Sequence, residues 1–106
     1  MHDHLEDIHD AWDRIRESLE RYVLGDTDDD PLLDLQFWKN EQGGFIMEAL
    51  FTIGGPTVYA EYDSRWDMAK FHHSWGKGRD GKRCAFIYVN GQVLQALAEM
   101  AGYYHD

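Results

Sequence analysis

The residues best suited to chemistry by type and spacing are Gly76-Lys77-Gly78-Arg79-Asp80-Gly81-Lys82. They match G-x-G-x-x-G, the pattern that lets backbone amides approach a pyrophosphate, and nearly match the phosphate loop G-x-x-x-x-G-K. The phosphate loop needs Ser or Thr next, to hold magnesium, and Arg83 stands there. Both motifs also need a helix directly after, whose N-terminal amides face the phosphate. The flanking residues read as two strands, so the glycines are expected to serve a hairpin loop. Its cations Lys77, Arg79, Lys82 and Arg83, with Trp75 nearby, remain a secondary contact for an anion or a partner.

Other look-alikes fail on chemistry. Asp26, Asp28 and Asp30 imitate the first three ligands of a calcium-binding EF loop. The sixth position must be glycine and the twelfth glutamate, but Pro31 and Phe37 stand there. The six histidines are His2, His4, His9, His72, His73 and His105. His72 and His73 are adjacent on an expected strand and so point to opposite faces. His4 and His9 are five apart, a poor spacing for one helix face. A zinc site needs about four converging ligands, and no such set is visible. Cys84 stands alone, which excludes an internal disulfide and any CxxC pattern, and it reads as a small buried hydrophobe. No nucleophile elbow, paired-carboxylate signature or helical H-E-x-x-H is present. The expectation is a protein without catalytic activity, cofactor or metal, its histidines at surfaces and edges.

Charge says more. The chain has 20 acidic and 10 basic side chains in 106 residues, a net charge of −10. The first 34 residues hold twelve acids against Arg14, Arg16 and Arg21, a net −9. Residues 65–84 reverse the sign to +4. Affinity for a phosphate backbone comes mainly from Lys and Arg, so direct nucleic-acid binding is not expected. Nor is binding to an anionic membrane. The Met1-His2-Asp3-His4 start is no signal peptide. No apolar run approaches the roughly 18 residues of a membrane span. A cytoplasmic protein is the simplest reading.

These residues must be positioned by a small set of elements. Leu5, Ile8, Trp12, Ile15, Leu19 and Tyr22 are spaced 3, 4, 3, 4, 3, which predicts an amphipathic helix over about residues 4–24. Asp3 with Glu6 is its expected cap pair and Gly25 its stop. After the Asp-rich turn and Pro31 the period becomes two. Leu33, Leu35 and Phe37 alternate with polar or outward residues, as do Phe45 to Ile53 and Val58 to Tyr62. Residues 66–75 and 84–89 complete five strands. Short connections imply an antiparallel meander. Asn90 is expected to cap a last helix over about 91–103. The result is a single α+β domain over 1–106, with both helices on one sheet face.

On a heptad grid, helix residues Glu6, Asp13 and Glu20 form one acidic row, and Asp3, Asp10 and Glu17 another. Arg16 can reach Asp13 and Glu20; Arg14 can reach Asp10 and Glu17; Arg21 can reach Glu17. Asp26, Asp28, Asp29, Asp30 and Asp34 follow with no cation among them. They come after the helix C-terminus, where the macrodipole disfavours negative charge. The pattern points to a non-catalytic acidic binding or inhibitor protein that occupies a basic, nucleic-acid-binding surface of a partner protein. Its expected contacts are Asp10, Glu17, Asp26, Asp28, Asp29, Asp30 and Asp34. In size and acidity, though in no motif, the chain resembles small phage-encoded inhibitors (anti-CRISPR and anti-restriction proteins) and nuclease-toxin immunity proteins. The alternative is a homo-oligomeric module, such as a homodimer, anchored by Trp38, Trp66 or Trp75. A small metal-binding protein or enzyme ranks third.

Overall fold

The 3-4 spacing and the period-two runs become the expected elements in the computed structural model. It describes residues 7–53, 57–75 and 83–102, with the backbone alone for Trp75, Arg83 and Cys84. The order is α1 (Ile8–Val23), β1 (Asp34–Lys39), β2 (Phe45–Thr52), β3 (Thr57–Asp63), β4 (Met68–Trp75), β5 (Arg83–Asn90) and α2 (Gln92–Met100). The strands form one sheet in the order β1-β2-β3-β4-β5, every pair antiparallel. This is the α+β meander expected from the sequence.

Helix α1 starts later than its apolar pattern suggests. Asp7 is the N-cap: its ψ of 141° leaves the helical region, and its side chain accepts from the His9 N–H. That carboxylate satisfies an amide the helix cannot, which stops the ladder from extending backwards. Asp3, Leu5 and Glu6 lie outside the described residues. At the other end Gly25 takes φ +79°, Gly25 N–H donates to Tyr22 and Asp26 N–H donates to Arg21. The two bonds form the paired closure of a left-handed C-terminal cap, for which glycine has no steric penalty. Helix α2 is also shorter than expected. Gly91 is its N-cap, although the Asn90 side chain still accepts from the Gln92 N–H at 2.8 Å. It ends at Met100 because Gly102, at φ +94°, closes back onto Glu99.

Both helices cover the same face of the sheet. Ala11, Trp12, Ile15 and Leu19 of α1 and Val93, Leu94, Leu97 and Ala98 of α2 are buried. They meet alternate strand residues: Phe45, Met47, Ala49 and Phe51; Val58, Ala60 and Tyr62; Ala69 and Phe71; Val89. Trp12 packs on Phe71 with ring centroids 5.2 Å apart, and Phe51 meets Phe71 at 6.5 Å. His73 shares this inward face and is buried, so it is not the surface histidine expected from the sequence. Its neighbour His72 points the other way, as strand alternation requires.

The β1–β2 and β3–β4 turns are locked together at one end. Ser64 is buried; its hydroxyl accepts from the Phe45 N–H at 2.8 Å and its own N–H donates to the Phe45 carbonyl. Gly44, at φ +76°, lies against Ser64 so closely that a Cβ there would collide with the Ser64 hydroxyl. Both the backbone conformation and the space therefore demand glycine.

Two stability outcomes follow. Phe71→Ala removes the fully buried ring at the centre of the core and is expected to cost about 3–5 kcal/mol, read by denaturant unfolding. Gly44→Ala is expected to cost about 1–3 kcal/mol through strain and displacement of Ser64, whereas Ala at a solvent-facing helix position such as Ser18 should be near neutral.

Candidate functional site

Two surfaces, on opposite sides of the molecule, carry the residues that could recognise something. The first is the outer face of α1. A 16-residue helix turns its buried stripe to the sheet and its acidic rows to solvent. Asp10, Asp13, Glu17 and Glu20 are all exposed there. Arg16 takes two of them: it lies 3.6 Å from Asp13 and 3.2 Å from Glu20. Those hydrogen bonds to Glu20 hold the Arg16 guanidinium above its ordinary pKa. Among the described residues, no ion pair with Asp10 or Glu17 is seen. The connector after Gly25 leads from the helix layer to the sheet edge. Its Asp26, Asp28, Asp29 and Asp30 are exposed. Asp30 also shapes the chain, accepting from the Leu32 N–H at 2.9 Å, while Thr27 accepts from the Asp29 N–H at 3.1 Å.

The second surface is the sheet face that neither helix covers. Cross-strand register arranges its side chains in rows. Asp34, Leu50, Tyr59, His72 and Phe86 form one row. Gln36, Glu48, Glu61, Lys70 and Tyr88 form the central row. Trp38, Ile46 and Asp63 form a third, continued by Met68 and Asn90. Large apolar groups stand in solvent here: Trp38 is 47% exposed, Phe86 48%, Trp66 60% and Tyr88 61%. His72 stacks on Tyr59 at 4.3 Å and 7°, with Phe86 5.6 Å beyond. Lys70 Nζ sits 5.3 Å from the Phe86 ring centre. A cleft of about 370 Å³ opens among Ile46, Trp66, Met68, Lys70, Glu61 and Asp63.

The expected contacts therefore do not form one site. Asp10 and Glu17 face away from the sheet. Asp26, Asp28, Asp29 and Asp30 lie on the connector, and Asp34 begins β1 on the uncovered face. Arg83 opens β5, paired with Trp75. Lys77, Arg79 and Lys82 lie outside the described residues. Of the expected tryptophan anchors, Trp38 and Trp66 are both exposed at this face. Sequence reading missed Tyr59, His72, Phe86 and Tyr88. Their alternation with buried neighbours was visible, but their contact depends on the register of three strands.

Among the described residues no three His, Cys, Asp or Glu side chains are placed to hold a metal ion. None of their helices is long and apolar enough to cross a membrane.

The turn beside the cleft carries the best-defined charge pair. Burial acts to raise the Asp63 carboxyl, but hydrogen bonds from Arg65 outweigh it and hold the group below the ordinary carboxylate range. Arg65 donates from its backbone N–H at 3.0 Å, from Nε at 3.2 Å and from a terminal nitrogen at 3.0 Å. A depressed folded-state pKa stabilises above the unfolded value of about 3.9 and is lost as pH falls through the folded one. Replacing Arg65 with Met is expected to raise the Asp63 carboxyl, read by carbon NMR titration. It should also flatten the loss of stability below about pH 4, read by unfolding at successive pH values.

Comparison of the chain with protein-family models, with curated proteins and with solved structures gives no match. What the protein does must be read from these two surfaces.

Proposed function

We propose that this chain is a non-catalytic binding protein whose acidic helix-layer surface occupies a basic, nucleic-acid-binding surface of a partner protein. The supporting observation is the outward face of α1. Asp10, Asp13, Glu17 and Glu20 are all exposed on one continuous helix. At 1.5 Å per residue, these four charges recur about every 5 Å along the axis. A DNA strand carries one phosphate per roughly 3.4 Å. A groove built to receive phosphates thus meets a rigid row of acids at comparable spacing, of which Arg16 offsets Asp13 and Glu20. Beyond the helix the connector adds four more exposed acids, Asp26, Asp28, Asp29 and Asp30.

The energetics suit such a partner. Preorganised acids on a helix lose little entropy on contact, and complementary charge speeds encounter. A net charge of −10 repels nucleic acid and anionic lipid. An enzyme of nucleic acid is a partner of the required chemistry, and a cytoplasmic location fits such a partner. Blocking needs only that the acidic face sit where the phosphates would.

The test is competition. The chain is added to DNA complexes of a panel of nucleases and other nucleic-acid enzymes, across a salt series. The expected result is displacement of DNA from at least one enzyme, weakening steeply as salt rises. The combined change Asp28→Asn, Asp29→Asn and Asp30→Asn is expected to weaken displacement about tenfold by slowing association. Displacement that is indifferent to salt, or absent throughout the panel, overturns the reading.

A further inference from the structure

We propose that the uncovered sheet face is a self-association interface, on which two copies of this chain pack face to face about a twofold axis parallel to β3. The argument starts from the central row, Gln36, Glu48, Glu61, Lys70 and Tyr88. Glu48 stands directly opposite Glu61, a like-charge pair that costs stability in a sheet. Glu61 already has a polar contact within its own chain, His72 Nε2 at 3.2 Å, while Lys70 stands opposite it in register without closing an ion pair. Asp63 is likewise held by Arg65 at 3.0 Å. Among the described residues, no ion pair is seen for Glu48 or Lys70. The face thus leaves one half-buried carboxylate and one half-buried ammonium without an ionic partner.

A twofold axis along β3 brings those two together. It lays β4 of one copy over β2 of the other and keeps each row over itself. Glu48 then faces the second copy's Lys70, and the contact occurs twice. The same operation lays Ile46 over Met68 and Leu50 over His72. On the axis Tyr59, Glu61 and Asp63 meet their own counterparts; Asp63 is neutralised by Arg65, and Glu61, which would meet Glu61 about either in-plane axis, has His72 beside it. The other in-plane axis, across the strands, would set Glu48 on Glu48 and Lys70 on Lys70. Charge therefore selects one arrangement.

Size and long-range charge agree. Five strands at 4.8 Å and about seven residues at 3.4 Å give a flat area of about 570 Å², before side-chain relief. That is of the order of the roughly 800 Å² per partner in a standard interface. Aligned sheets pack about 10 Å apart, and each helix layer adds about the same. The two acidic α1 faces would then point outward, about 30 Å apart, several times the Debye length of about 8 Å in physiological salt. The acidity of the N-terminal third does not oppose the assembly, and its surface stays accessible.

The experiment is the molar mass of the full chain across a dilution series, by light scattering and analytical ultracentrifugation. Wild type is expected to be a dimer that dissociates on dilution. Glu48→Lys alone and Lys70→Glu alone each turn two attractive contacts into repulsive ones and are expected to raise the dissociation constant at least about tenfold. The double variant restores the pairing with the charges exchanged and is expected to dimerise again. Phe86→Glu, at an exposed site, is expected to give a folded monomer by circular dichroism. A monomer at every concentration overturns the proposal and leaves the face to a different protein. A dimer unaffected by either single reversal, or a double variant that stays monomeric, also overturns it.

Discussion

The whole fold depends on one constraint: a five-stranded antiparallel sheet must bury one face, and among the described residues two helices are available to cover it. Each helix supplies one apolar stripe, and both stripes go to the same side. Trp12 and Phe71 mark the centre of that contact, with aromatic rings 5.2 Å apart. The molecule's shortest extent is 20 Å, the thickness of two layers and not of three. Everything else follows from the choice of side. The inward residues of β2 to β4 are largely buried, and the intervening ones are left for solvent or for another molecule.

Local chemistry makes that choice possible. The Asp7 cap and the Gly25 closure define a helix of 16 residues, long enough to cross the sheet and short enough to return the chain to its edge. The returning connector is where the aspartates accumulate. Its backbone is ordered by short polar contacts, such as that of Asp30 with the Leu32 N–H. At the opposite corner, Ser64 replaces a strand partner for Phe45, and Gly44 lets the two turns approach. The Asp63–Arg65 pair closes the same corner beside the cleft. The register of the uncovered face is therefore held firmly at the end that carries Trp38 and Trp66.

Separating the two surfaces has a functional consequence. On the proposed reading, acids on the helix layer would act over a distance, through charge, and would need no shape match beyond a groove. The sheet face would act at contact, through apolar side chains and a few fixed charges. Because the layers lie back to back, one surface can be occupied without covering the other. A protein that bound through both would present two acidic helix faces on one assembly, and linked sites raise overall affinity without new contacts.

Much of the architecture was legible in the residues themselves. A 3-4 apolar spacing can only bury one stripe of a helix, and a period of two can only divide a strand between faces. The acidic rows containing Asp10 and Glu17 were legible for the same reason, since neighbours on one helix share a face without reference to anything else. Helix ends were less so: Asp7 displaced Asp3 as the α1 cap, and Gly102 stopped α2 early, because single hydrogen bonds decide termini. His73 entered the core and His72 the stack on Tyr59 although the two are adjacent in the chain. The sequence alone determined the order of elements, their amphipathic faces and the location of the charge. Tertiary structure decided which sheet face was covered, and so brought Glu48, Glu61, Lys70, His72 and Phe86 together across four strands. That juxtaposition depends on register and on the side the helices take, which are non-local outcomes of burying the most apolar surface.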